Sequence, residues 1–306
     1  MADRICVVGC GAMGGLFAAH LAQLPELEVW AYDVLEAHVA AINRDGLRLT
    51  GEVELVGRVR ARTDPTEIPA CRFGIVSTKS TFTRPAILAS APLFTHGAVC
   101  SVQNGIGNEE MIAEHAPHVM RGVTLSAGRL AGPGIVEVEG LGPTWIGPFE
   151  PLPTPIGEVA ELAALLQRSG METHGLEDAR GPQWTKLLFN CATNPLCALT
   201  GLTHGQLIDQ APTRRLAGEL IGEGRAVADA LGITLDGDPD VLVDTAGRAN
   251  HDHRPSMLQD VDAHRPTEIG AINGGLVAAA RECGVQVPRN EVIVDLIAGL
   301  ERSWSL

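Results

Sequence analysis

The sequence predicts an α/β protein: a doubly wound, mostly parallel sheet in the N-terminal part, then an all-α C-terminal domain. Three observations carry that prediction. Short β-branched apolar runs alternate with helix-period stretches between residues 4 and 102. A glycine-rich turn separates the first run from the first helical stretch. Beyond about Asp178 every periodic segment reads as helix. With 306 residues, the chain is long enough for two domains at about 150 residues each, and we divide it at 1–178 and 179–306.

Residues 4–8 (RICVV) end at Gly9, and residues 12–24 follow with helical apolar spacing, giving strand, turn and helix. LEVWAYD (27–33) reads as a second strand, and a helix from about Val34 to Asn43 stops before Gly46. After a β-rich stretch (47–60), RFGIVST (72–78) and GAVCSV (97–102) have the composition of buried parallel strands with a helix between them. Residues 122–147 break into short glycine-separated strands, predicted as hairpins on the far edge of the sheet. GPFEPLPTPIG (147–157) is a Pro-rich connection, followed by a helix (158–168) and a short strand (171–174). The second domain is predicted as helices over 182–193, 212–231, 256–283 with a break or bend, and 288–302.

Composition narrows the function. Hydrophobic residues make up 45% and charged residues 20% of the chain, which excludes a disordered protein. A formal charge of -14 without a basic cluster argues against nucleic acid or an acidic membrane as partner. No basic segment leads into an apolar leader at the start, and no apolar run reaches the ~18 residues of a spanning helix, so the expected location is the cytoplasm. The seven cysteines are odd in number and form no CxxC, which points to reduced packing residues rather than a disulfide framework or zinc ribbon. Of the 23 basic residues only two are lysines, Lys79 and Lys186. A lysine ammonium can release its proton and a guanidinium cannot, so both invite a specific role, codon bias being the bland alternative.

Gly9-Cys10-Gly11-Ala12-Met13-Gly14 matches GxGxxG after a predicted strand and before a predicted helix. In that setting Gly9 makes the tight turn, Gly11 lets a pyrophosphate approach the backbone, Gly14 allows close helix packing, and the helix N-terminus holds the phosphates. The N-terminal part is therefore predicted as a dinucleotide-binding Rossmann domain. Asp33 ends the second strand, where a carboxylate accepts ribose hydroxyls and repels a 2'-phosphate. NAD is thus expected, with NADP the alternative, because the next arginine, Arg44, lies too far along the chain. Asp33 is equally suited to cap the following helix. Lys79 and Asn104 each follow a strand, at the edge where ligands of doubly wound sheets bind, although Asn-Gly is also a good turn. Lys186, Asn190 and Asn194 recur at i, i+4 and i+8 and make a polar stripe, which on pattern alone also fits a solvated helix face. Pro195 should end or kink that helix at Asn194. Glu268, just after Pro266, fits a first-turn acid of a helix.

Together these residues resemble the ketopantoate reductase (2-dehydropantoate 2-reductase) family over essentially the whole chain. The match runs in order through GCGAMG, Lys79, Gln103-Asn104-Gly105, WTKLLFNCATNPLCAL (184–199), PSMLQD (255–260) and PTEIGAINGGL. The resemblance implies Lys186 as proton donor, Asn190, Asn194 and Ser256 as substrate ligands, and Glu268 as the group that anchors or orients the substrate. It further implies that Lys79 and Asn104 line a cleft for cofactor and substrate, that the helical domain serves substrate binding and dimerisation, and that the chain forms a homodimer. Two departures stand out. The family typically prefers NADPH and carries a basic residue where this chain has Asp33. His204 stands where many relatives have a different polar residue against the substrate. His251 and His253 lack further matched ligands and read as surface residues, and no metal is expected.

The reaction expected from the resemblance is hydride transfer between a nicotinamide cofactor and C2 of a small 2-oxo or 2-hydroxy acid, ketopantoate to pantoate above others. A dehydrogenase of another hydroxy acid is the alternative. A non-catalytic dinucleotide sensor is a third reading, disfavoured because it has no use for Lys186.

Overall fold

The computed structural model describes residues 3–305. They form two compact units, one comprising the residues up to Gln103 together with Asn108–Ala179, the other Asn104–Gly107 together with the residues from Arg180 on.

The first unit contains β1 (Asp3–Val8), β2 (Leu27–Tyr32), β3 (Leu47–Gly51), β4 (Leu55–Gly57), β5 (Arg60–Arg62), β6 (Phe73–Val76), β7 (Ala98–Ser101), β8 (His118–Thr124), β9 (Ala127–Gly132), β10 (Ile135–Gly140), β11 (Thr144–Pro148) and β12 (Thr173–Gly175), with helices α1 (Ala12–Leu21), α2 (Glu36–Asp45), α3 (Thr83–Ser90), α4 (Asn108–Ala113) and α5 (Ile156–Arg168). The large sheet runs β5-β2-β1-β6-β7-β8-β11-β12. Its first six strands are parallel and β11 turns back antiparallel to β8. Counted in chain order, those six strands lie as 3-2-1-4-5-6, the dinucleotide-fold order. Alternate residues of β1 enter different cores: Ile5 and Val7 pack with α1 and α5, and Cys6 and Val8 with Trp30, Val76 and Phe94. A strand buried on both faces explains the unbroken apolar runs.

The expected far-edge hairpins are only partly there. β11 does extend the large sheet, but β9 and β10 join β3 and β4 in a separate sheet of order β4-β3-β10-β9. The reason is a missing side chain on α1: a Cβ at Gly15 would collide with Val136 of β10, so the bare helix surface admits that strand. The alternation in IVEVEG buries Val136 and Val138 and leaves the glutamates half-exposed, as expected for a sheet covered on one face.

The second unit holds α6 (Arg180–Thr200), α7 (His204–Asp209), α8 (Ala211–Ala230), α9 (Pro239–Ala249), α10 (Ser256–Asp262), α11 (Asn273–Cys283) and α12 (Pro288–Ser303). α6 is its centre, packed by α7, α8, α9, α10 and α12. Of the end or kink expected at Asn194, the end does not occur: α6 continues through Pro195. Pro195 has no N–H for the Cys191 carbonyl four residues back. The buried Asn273 Nδ2 donates to that carbonyl at 3.0 Å instead, so the helix loses no acceptor partner. The break expected within 256–283 is present as residues 263–272, which separate α10 from α11. α7 and α9 were not predicted, although Asp238 caps α9 through its side chain and Pro239 opens it, a start signal present in the sequence. Among the described residues no helix is long and apolar enough to cross a membrane. All seven cysteines are free and six are buried.

Candidate active site

In the first unit the glycine turn has the geometry its pattern requires. Gly9 adopts φ +83°, a left-handed conformation, and its N–H donates to the Tyr32 carbonyl at 2.8 Å. A Cβ at Gly9 would strike Thr78, and one at Gly14 would strike the Gly9 carbonyl, so the turn, the β6 end and α1 are pressed together. Gly11 is different, because a Cβ there would meet nothing within 4 Å. Gly11 caps α1, whose start has no side-chain cap and no acidic residue in its first turn. Ala12 and Met13 open the helix, and their N–H groups lie at its positive end. An open approach, unopposed N–H groups and the fold order together fit a dinucleotide pyrophosphate.

Asp33 follows β2 and is buried. Its Oδ2 accepts the Cys10 N–H at 2.9 Å and its Oδ1 accepts the Leu35 N–H at 3.0 Å. The capping alternative is therefore replaced by an Asx-type turn, because the helix cap itself is Leu35. Each carboxylate oxygen keeps a second lone pair. Lys79 is half-buried at the start of a single turn of 3-10 helix (Ser80–Phe82) beyond β6. The preceding Thr78 is held through its carbonyl and hydroxyl by Gln103 Nε2, at 2.8 and 3.2 Å.

In the second unit the polar stripe of α6 is not a solvated face. Asn190 and Asn194 are 5% and 4% exposed, and Lys186 is half-buried. Burial pushes the Lys186 ammonium down to about 8 from its ordinary value, and the Glu268 carboxylate partly opposes that fall. Glu268 is 6% exposed and lies between α10 and α11, not in a helical first turn. Its backbone carbonyl instead receives the Ala271 and Ile272 N–H groups. The Glu268 carboxylate accepts Asn104 Nδ2 at 3.4 Å. Asn104–Gly107 thus belongs to the second unit by its contacts, and the Ile106 N–H also donates to the Ala271 carbonyl at 2.9 Å. Lys186, Glu268 and Asn104 form one cluster. Asn190 and Asn194 lie one and two turns along α6 from Lys186, and half-buried Ser256 opens α10, which packs on α6.

His204 is buried against the Phe189 ring at 5.6 Å and the His253 ring at 5.0 Å. Desolvation and the neighbouring His253 push its pKa down to about 4, so it is a neutral ring. His251 is exposed and paired with Asp209 and Asp252. His253, expected at the surface, is half-buried because it packs on His204. Among the described residues no group of three or more His, Cys, Asp or Glu side chains could hold a metal ion. The sequence reading gave no part to His38 or Asn273. The available signal was a histidine on the apolar face of α2 and an asparagine at the start of α11.

Comparison with known proteins agrees with this geometry. Residues 5–151 match the family model described as ketopantoate reductase PanE/ApbA, and residues 178–301 match its C-terminal model. A 2-dehydropantoate 2-reductase of Pyrococcus horikoshii is 32% identical, with 97% of each chain covered. A PanE/ApbA family ketopantoate reductase from Ralstonia eutropha JMP134 superposes with a TM-score of 0.89 at 29% identity, over 99% of this chain and all of that one. A D-mandelate dehydrogenase, solved with NADH and anilino(oxo)acetate, superposes at 0.88 and 25% identity over 99% of this chain and all of that one. The chain belongs to the ketopantoate reductase family of oxidoreductases.

Proposed function

We propose that the chain reduces a small 2-oxo acid, ketopantoate above others, with NAD(H) preferred over NADP(H). The observation that carries the reading is the cluster in which half-buried Lys186 lies beside the buried Glu268, whose carboxylate accepts Asn104 Nδ2 at 3.4 Å; burial there lowers the Lys186 pKa to about 8 against the pull of Glu268. An ammonium so placed is protonated near neutrality yet close to releasing its proton, as a general acid requires.

The glycine turn Gly9–Gly14, Asp33 and Lys79 would hold the dinucleotide, whose nicotinamide, when bound, would supply hydride for C2 of the substrate. Lys186 donates a hydrogen bond to the substrate's carbonyl oxygen, stabilises the charge that builds there and hands over its proton. Asn190, Asn194 and Ser256 supply donors for the carboxylate, and Asn104 lines the same site. Glu268, steadied by Asn104, accepts the distal hydroxyl of the substrate and keeps Lys186 charged. The preference for NAD(H) follows from the Asp33 carboxylate, which repels a 2'-phosphate. Arg62, whose carbonyl receives the Asp33 N–H, is paired with Glu67 at 2.9 Å, and Arg44, the next arginine along the chain, is paired with Asp45 at 2.7 Å. In this reading residues 1–178 bind the dinucleotide and residues 179–306 bind the substrate. The free thiols favour a reducing, cytoplasmic location, and a homodimer rests on the family resemblance.

Steady-state kinetics with ketopantoate and either cofactor test the proposal. The expected result is turnover with NADH at a kcat/KM above that with NADPH. Absence of turnover with either cofactor would remove ketopantoate as substrate, and a tenfold preference for NADPH would remove the Asp33 argument. A second reading, oxidation of another 2-hydroxy acid, is favoured by the likeness to the NADH-bound D-mandelate dehydrogenase. A panel of hydroxy acids with NAD separates the two.

A further inference from the structure

The reaction makes no use of His38, a histidine 2% exposed on the inner face of α2. Its two ring nitrogens are both engaged. The Gly134 N–H donates to Nδ1 at 3.0 Å, so Nδ1 offers a lone pair and the ring proton sits on Nε2. Nε2–H then donates to the Cys10 carbonyl at 2.8 Å.

That bond is one link of a chain ending at the cofactor turn. Gly134 is fixed at its outer end, at φ +72° in the β9–β10 turn, with its carbonyl taking the Arg48 N–H at 2.9 Å. At the inner end the Cys10 N–H is held by Asp33 Oδ2. The two peptide planes flanking Cys10 are therefore pinned from opposite ends, one by Asp33 and one by His38. The second plane matters most. In a trans peptide the N–H points opposite to the C=O, so the hydrogen bond drawing the Cys10 carbonyl to His38 aims the Gly11 N–H away from it. Glycine imposes little conformational restraint of its own, and a Cβ at Gly11 would meet no neighbour. His38 supplies the missing restraint.

We propose that His38 is a positioning residue for the dinucleotide: with its proton placed by Gly134, it sets the Cys10–Gly11 peptide so that the Gly11 N–H is presented to the pyrophosphate. This rests on the reading of Gly9–Gly14 as the dinucleotide turn.

The test measures NADH binding to the full chain by fluorescence titration, with kcat at saturating NADH and thermal stability alongside. Glutamine can place an amide N–H near the position of Nε2, and asparagine an amide oxygen near that of Nδ1. We expect His38→Leu and His38→Asn to raise the Kd for NADH about tenfold, as loss of one preorganising hydrogen bond allows, with kcat within about twofold of wild type. His38→Gln should stay within about threefold in Kd. Wild-type affinity in His38→Leu, or Asn binding as wild type while Gln binds weakly, would overturn the proposal. If His38→Leu fails to fold, the contrast between the two amides decides. Gly11→Val separates this from the parent reading: it should abolish NADH binding, and unchanged binding would show that the dinucleotide does not sit on this turn.

Discussion

Replacing Glu268 by glutamine removes one negative charge from beside Lys186 while keeping the size of the side chain and an acceptor for Asn104 Nδ2. In the wild type, burial lowers the Lys186 pKa and Glu268 raises it, with about 8 as the net result. At the outer end of the roughly 4–6 Å range over which an opposite charge shifts a pKa, two unit charges at an effective permittivity of about 20 interact by about 3 kcal/mol. That corresponds to about two pH units. Lys186 is half-buried, and water and salt reduce the interaction, so a drop of about one pH unit is expected. The sign follows from the role. Reduction needs the ammonium, so the rate is full below the Lys186 pKa and is lost as pH rises through it. The assay is kcat/KM for the 2-oxo acid against pH at saturating NADH. The alkaline limb should lie near 8 in the wild type and about one unit lower in Glu268→Gln. An alkaline limb that stays in place or moves upward would refute the electrostatic coupling. A uniform loss at every pH without movement of the limb would assign Glu268 to substrate contact alone.

Asp33→Ala should narrow the ratio of kcat/KM for NADH to that for NADPH, and should also loosen the turn by removing the acceptor of the Cys10 N–H, so NADH affinity falls as well. Lys79→Ala should raise the KM for cofactor at least as much as it lowers kcat; the opposite pattern would mean that the two lysines have been assigned each other's roles. Asn273→Leu strands the Cys191 carbonyl beside Pro195 and should cost about 1–3 kcal/mol in urea unfolding. Pro195→Ala in that background restores an N–H four residues on and should recover part of the loss, whereas an additive further loss would contradict the compensation.

Much of the first unit was legible because a strand buried on both faces is written as an apolar run, and the glycine turn carries its stereochemistry in its spacing. The small sheet was not, since its pairing of β3 with β10 joins segments 87 residues apart in register, Arg48 with Ile135, and depends on the absence of a side chain at Gly15. In the second unit, periodicity located α6 but could not tell a buried polar stripe from a solvated one. That distinction comes from helices α8, α9, α10 and α12 closing around it. The end or kink expected at Asn194 was a local inference from Pro195, correct about the missing N–H and unaware of an amide 78 residues after the proline that takes over its acceptor. Glu268 likewise looked like a helix-start acid until the turn before α11 set it against Asn104. The position of Asn104 itself follows from Gly105: at φ +84°, a Cβ there would strike Ala271, so the bare glycine lets residues 104–107 pack as part of the second unit.

In the proposed reaction Lys186 delivers the proton to the reduced carbonyl. Single-turnover oxidation of bound NADH by the 2-oxo acid, followed by stopped flow in wild type, Lys186→Ala and Lys186→Arg, tests it most directly. The rate should fall about 10²- to 10⁴-fold in Lys186→Ala with NADH affinity unchanged, with little rescue by arginine, which keeps the charge but holds its proton. A Lys186→Ala variant that retained more than about a tenth of the wild-type rate would contradict it.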